Sequence, residues 1–254
     1  MIELHFLPYG RVDAILIGVD GHWAFVDGGY RRDGVRAVKY MREIGIERLD
    51  AYIATHRHRN HVGAGPVVIK EMQPRQVYTA DKRMKERIYG LCTDEVESDS
   101  VNKTAFKVLC MGDSFTVGEA VFTCIGPNKL HQCAAGAYKE NQNSLILRVE
   151  YKGRTALLTG DTTGSILSGC ADRDLRVDLL KNPHHNGALG EKLLKRIGPK
   201  FTVVCNGKPP AKYYQQRLKS VGSKLFTAGK KGDGLVILEG NEMGWRRRDN
   251  SGET

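Results

Sequence analysis

Three of the eight histidines in this 254-residue chain fall within one short segment, Thr55-His56-Arg57-His58-Arg59-Asn60-His61. Imidazole nitrogen suits zinc, iron and manganese-type ions. On an extended segment side chains repeat every two residues, so His56 and His58 face the same way. His61, at the turn that follows, can face back toward the same space. The cluster reads as a metal site rather than a surface histidine run. Two other places add candidate ligands: Asp161 closes the run Leu157-Leu158-Thr159-Gly160-Asp161, and His184 and His185 follow Lys181-Asn182-Pro183. Taken alone, Gly-Asp is a turn and a histidine pair a loop feature. Three such clusters, each after an apolar run, point to one centre and to metal-assisted hydrolysis.

The runs that precede these clusters read as strands. Ile2–Leu7, Asp13–Val19 and His22–Val26 suggest a β-meander ending at Asp27-Gly28-Gly29. Val35, Val38, Met41 and Ile44 recur at helical spacing, and Gly45 stops that helix. Leu49–Ala54 is a strand that delivers the chain into the histidine motif. Helices are expected at 65–72, 81–92, 163–170, 189–197 and 211–220, and 93–103 is left open. Further strands are expected at 76–79, 108–111, 114–117, 120–125, 144–151, 154–159, 177–181, 201–205, 224–228 and 234–239. No repeat of fixed period and no Pro/Gly-rich linker divides the sequence, so one domain over 1–254 is expected. Long hairpins mixed with separated helices suggest sheets flanked by helices.

Lysine and arginine exceed aspartate and glutamate by ten, and Arg246-Arg247-Arg248 form the one dense run. That excess favours an anionic partner such as a phosphodiester or nucleic acid, although a solvated basic surface has the same composition. The six cysteines form no CxxC pair, which argues against a zinc ribbon. No apolar run approaches the ~20 residues that span a bilayer. MIELHFLPYG lacks a basic, then apolar, leader, so a cytoplasmic protein with no membrane partner is expected.

The order of these motifs resembles the metallo-β-lactamase superfamily, most closely the hydrolase domain that ends ComEC-type competence DNA-uptake proteins. The residues that carry the likeness are Asp13-Ala14-Ile15-Leu16-Ile17, Val26-Asp27-Gly28-Gly29, Leu49–Ala54 with the histidine motif, Asn141–Leu145, Leu158-Thr159-Gly160-Asp161 and Pro183-His184-His185. The resemblance implies an α/β, four-layer αββα sandwich with one or two divalent ions, Zn or Mn. It implies His56 and His58 at a first metal, Asn60 and His61 at a second, Asp161 bridging, and His184 or His185 completing the second. Asn143 and Ser144 match a stretch that replaces a further family histidine, for which His131 is a substitute candidate.

The departure is Asn60, where the family motif HxHxDH has aspartate. An amide contributes a dipole where a carboxylate contributes a charge, so the first position is expected to bind its metal more tightly than the second. Arg57 and Arg59 are candidates for gripping phosphate oxygens bidentately. Asn60, Asp161, Arg57 and Arg59 are therefore the expected catalytic set, and the expected activity is a phosphodiesterase or nuclease. Two alternatives stand beside it: a binding module that has lost its chemistry at Asn60, and a hydrolase of an uncharged ester or lactone.

Overall fold

The computed structural model describes residues 1–129, 139–170 and 173–228, and the backbone of 233–239 and 242–248. The candidate ligand His131 lies outside the described residues. The chain begins with the antiparallel strands β1 (Ile2–Phe6), β2 (Ala14–Val19) and β3 (His22–Asp27), followed by helix α1 (Arg31–Glu43). β4 (Ala51–Ala54), α2 (Arg59–Val62), α3 (Gly65–Met72), β5 (Gln76–Thr79), α4 (Met84–Tyr89), α5 (Glu95–Lys103) and β6 (Phe106–Val108) continue it, with β4 to β6 parallel to β3.

A second sheet starts with β7 (Ser114–Val117) and β8 (Ala120–Gly126). After a 3₁₀ turn at Glu140–Asn143 come β9 (Ile146–Tyr151), β10 (Arg154–Leu158), α6 (Gly164–Ser168), β11 (Leu179–Lys181), α7 (Glu191–Ile197), β12 (Phe201–Cys205), α8 (Lys212–Ser220) and β13 (Lys224–Ala228). β14 (Asp233–Glu239) and β15 (Glu242–Arg248) return to the first sheet. The sheet orders are β15-β14-β1-β2-β3-β4-β5-β6 and β13-β12-β11-β10-β9-β8-β7.

Burial explains the layers. Ile15, Ile17, Val26 and Ile53 face Phe122, Leu147, Ala156, Leu158 and Val203 between the sheets. The alternate residues Leu16, Phe25 and Tyr52 pack outward on Ala37, Met41 and Val68 of the helices. Leu157 and Leu180 do the same with Leu194, Tyr214 and Leu218 on the other side. Strands covered on both faces are apolar throughout, which is why β2 is buried at all six positions. The result is the expected four-layer αββα sandwich.

Three local expectations change. The polar stretch left open at 93–103 is α5: the Asp94 carboxylate accepts from Glu97 N at 2.8 Å, and buried Glu97 takes both Arg31 amines. The strand expected at 108–111 lies instead at Phe106–Val108, where the parallel pairing to β5 sets the register. The arginine run belongs to β15, an edge strand, where charge is tolerated.

One end of the sandwich collects the motifs. β3, β4, β10 and β11 all end there, and β2 and β9, antiparallel to β3 and β10, begin there. Asp13, Asp27, Thr55, Ser144, Asp161 and the loop after Lys181 are thereby brought together from six strand ends.

Candidate metal centre

At that end, Asp13, His61, Asp161 and His185 form a fully buried cluster, with one ligand atom of each within 4.8 Å of the others. His61 Nε2 lies 3.3 Å from Asp161 Oδ2, and His185 Nε2 lies 3.4 Å from Asp161 Oδ1. Both Nε2 atoms and Asp161 Oδ1 are buried without a hydrogen-bond partner. Bonds of about 2.0–2.1 Å from one ion place two ligand atoms roughly 2.9–3.4 Å apart. The observed spacings fit that requirement, and the orphaned atoms are those an ion would satisfy.

The far side of each ring faces a carboxylate. His61 Nδ1 is bonded to Asp27 Oδ2 at 2.7 Å, and His185 Nδ1 lies 3.3 Å from Asp13 Oδ1. Such partners orient a ligating imidazole and set its tautomer, leaving Nε2 for the metal. Asp27 is itself fixed by Thr55, whose N and Oγ1 donate to its two oxygens at 2.8 and 2.7 Å. Asp27, His184 and His185 all adopt left-handed backbone, a conformation costing about 1–3 kcal/mol per residue and concentrated at functional sites.

Charge balance points the same way. Lys181 is fully buried, paired with Asp13 and donating to Gly160 O at 2.8 Å. With neutral histidines, Asp13, Asp27 and Asp161 against Lys181 leave two buried negative charges, the complement of one divalent ion. In the metal-free protein a proton stands in. Burial opposes charge on His61, but Asp27 and Asp161 overcome it and raise its pKa to about 10. Burial likewise works against the ionised Asp161 and Asp13, yet their cationic neighbours, His61 and Lys181 foremost, hold both below the usual carboxylate range. Burial disfavours charged Lys181 too, and Asp13 and Asp161 outweigh it.

A metal must therefore displace a proton from His61. Its affinity rises with pH, because the proton is held up to about pH 10. Titrating zinc calorimetrically at pH 8 in buffers of different ionisation enthalpy should show about one proton released per ion. An affinity flat from pH 6 to 9 would refute this.

His56 and His58 form a second, lesser set. Thr55 Oγ1, which gives its hydrogen to Asp27, can only accept from His56 Nδ1 at 3.1 Å, so His56 Nε2 is bare. That atom faces His58 Nδ1 at 3.0 Å. Burial, with His61 next, holds the His56 pKa well below its ordinary value, so the ring stays neutral. Ser144, where the family has a further histidine, has its Oγ engaged by the Asp161 N–H at 3.0 Å. Buried carboxylates flank both sets: Asp13 and Asp161 lie with His61 and His185, and Asp27 lies with His56 and His61.

The remaining expected site residues lie at different depths. His185 is the buried member of its pair, whereas His184 sits at the rim, 39% exposed, with Nε2 3.4 Å from Asn141 Nδ2 and 3.8 Å from Asp161. Asn60 is half-buried on α2, one residue before His61, and brings no charge. Arg57 is drawn toward Glu140 (3.6 Å) and Arg59 is exposed, so neither guanidinium joins the buried cluster. Asp13, Asp27, Thr55 and Lys181 were not anticipated as site residues. Their mark in the sequence is a charged or hydroxylic group at the end of an otherwise apolar strand.

An αββα sandwich with a His/Asp cluster where its strands end is the metallo-β-lactamase fold, and this chain has it. It is similar to the metallo-β-lactamase fold protein YhfI of Bacillus subtilis, over 91% of this chain and 98% of that one (TM-score 0.57, 14% identity), and over 94% of its length to all of the Zn²⁺-bound PqqB of Methylobacterium extorquens (TM-score 0.62, 13% identity). It is also similar to a diphosphatase from the PhnP family, over 90% of this chain and 85% of that one (TM-score 0.56, 13% identity). In sequence, it is 24% identical over 175 residues to ComE operon protein 3 of Bacillus subtilis, covering 67% of this chain. The chain spans 22% of that protein's length. No family model matches the sequence. Among the described residues, no helix is long and apolar enough to cross a membrane.

Proposed function

We propose that this chain is a metal-dependent hydrolase that cleaves phosphodiesters of nucleic acid or nucleotides. The observation that carries the hydrolase reading is the pair of orphaned Nε2 atoms of His61 and His185 converging on Asp161, each ring backed by a carboxylate. A binding module that had lost its chemistry would have no reason to keep unsatisfied ligand atoms in its interior, where each costs about 1–3 kcal/mol. The phosphodiester reading is supported by the net charge of +10, by the resemblance to a DNA-uptake protein and by the likeness to a diphosphatase. An uncharged ester or lactone leaves the basic excess unexplained.

A divalent zinc or manganese ion bound by His61, Asp161 and His185 would act as a Lewis acid, making water nucleophilic near neutral pH. The chain's own residues do the rest. Asp27 and Asp13 keep protons on the outer nitrogens of His61 and His185, so that both Nε2 lone pairs face the centre. Lys181 limits the negative charge that would repel an incoming phosphate. His184 stays at the rim, and burial lowers its pKa, so it remains uncharged near neutral pH.

Bis(p-nitrophenyl) phosphate cleavage by protein stripped of metal and reloaded with Zn²⁺ or Mn²⁺ tests the reading. Activity should depend on metal and saturate near one equivalent. Asn60→Asp should raise the stoichiometry toward two, since a carboxylate adds a full negative charge in a partly buried site. Absence of both bound metal and cleavage in either protein would overturn the hydrolase reading.

A further inference from the structure

The loop that carries His185 is closed by the side chain of Asn182. This residue follows β11 and is fully buried, and its Nδ2 donates to the Pro183 carbonyl at 3.2 Å and to the Gly187 carbonyl at 2.9 Å. The Gly187 N–H returns to the Pro183 carbonyl at 3.0 Å. A Cβ at position 187 would lie 2.8 Å from that same oxygen, so the turn closes this tightly only with glycine there. Inside it, His184 and His185 have φ of 50° and 57°. Left-handed backbone at two successive non-glycine residues persists only where the surroundings over-determine it. The two carbonyls use both amide hydrogens of Asn182 and leave its Oδ1 to accept.

The donor to that oxygen is the hydroxyl of Tyr214 on α8, at 2.7 Å. Tyr214 is buried, and burial pushes its phenol up to about 12, so the hydroxyl keeps the proton it donates. Arg217, further along α8, donates from Nη1 to the Leu189 carbonyl at 2.7 Å. One helix thus grips both ends of the segment 182–189. Neither Asn182 nor Tyr214 belongs to the buried ligand cluster. Metal–ligand distances hold to about ±0.2 Å, so a ligand carried on a loop needs such a clamp. We infer that Tyr214 and Asn182 are positioning residues for the metal centre, holding the His185 ring with its Nε2 beside Asp161. This role rests on the metal-dependent reading above and adds the residues that set the geometry of one ligand.

Competition with a chromophoric chelator, well below the melting transition, gives the zinc affinity of each folded variant. Tyr214→Phe, which removes one oxygen, should weaken zinc roughly 5-fold, and Asn182→Ala roughly 10- to 100-fold, the range for partners that orient metal ligands. Added to Asn182→Ala, Tyr214→Phe should cost no more than about 2-fold further, because both act through one clamp. Hydrogen exchange in EDTA, read by mass spectrometry, should quicken across 183–189 in both variants. Thr202→Val is the control: it takes a buried hydroxyl from a similar bond, the 2.8 Å contact with Ser223 Oγ, and leaves the Asn182 clamp intact. It should lower the melting temperature yet keep zinc affinity within about 2-fold of the wild type. Tyr214→Phe, the milder change, keeps the test decisive if Asn182→Ala does not fold.

The positioning role is overturned if folded Tyr214→Phe binds zinc like the wild type, if loop exchange is unchanged, if the two losses simply add, or if Thr202→Val costs as much affinity. Failure of the metal-dependent reading would look different: the wild type itself would take up no zinc, and the positioning role would fall with it, while loop exchange would still respond to Tyr214.

Discussion

Asp161→Asn should lower the affinity for zinc or manganese by roughly 100-fold or more and reduce phosphodiester hydrolysis to background. Among the described residues, Asp161 is the one whose two oxygens approach both orphaned ring nitrogens, at 3.3 and 3.4 Å. An amide there removes a full negative charge from a cation site in the interior, where charge–charge terms are larger than in water. It also turns a donor toward one of the two rings. Equilibrium dialysis gives the affinity and a p-nitrophenyl diester assay the rate. A thermal melt in EDTA separates loss of metal from loss of fold. Binding within a few-fold of the wild type would remove Asp161 from the centre.

Lys181→Met should destabilise the metal-free protein by about 3–5 kcal/mol, as expected when one member of a buried ion pair is removed. For a chain of this size the melting temperature should fall on the order of 10 °C. The reason is that Asp13 would be left with its charge in a site only 1% exposed, no longer offset by the ammonium that is its principal partner. Asp13→Asn in the same chain should restore most of the loss, because the uncompensated charge is then gone. Urea unfolding of the single and double variants in EDTA reads both effects. A single variant that loses less than about 1 kcal/mol, or a double variant less stable than the single, would show that the pair does not carry this charge balance.

The two expectations differ in how far the linear chain could carry them. Asp161 follows an apolar run and a glycine, so its place at a strand end is legible in the sequence. Lys181 was seen only as the end of a strand. Its role depends on Asp13, 168 positions earlier, and that pairing exists only because β2 and β11 bring their ends to the same rim.

The same contrast runs through the molecule. Apolar runs and their turn residues determined the strand and helix order, because burial on both faces demands continuous Val, Ile and Leu. The spacing of His56, His58 and His61 determined that they share one turn. Neither pattern records which ring nitrogen is free, since that is set by Asp27, Thr55 and Asp13 reaching the rings from other strands. Nor could the His184-His185 pair be told apart in the sequence: left-handed backbone at both residues buries one ring beside Asp161 and leaves the other at the rim. Arg57 looked like a phosphate ligand for the reacting centre because it sits between two histidines. In the fold its side chain lines a pocket with Arg83 and Arg87 and lies 3.6 Å from Glu140, contacts that the linear sequence does not record. Local periodicity fixes what each short segment is. Which charges meet in the interior is decided by contacts between segments far apart in the chain, and only the folded sheets bring those together.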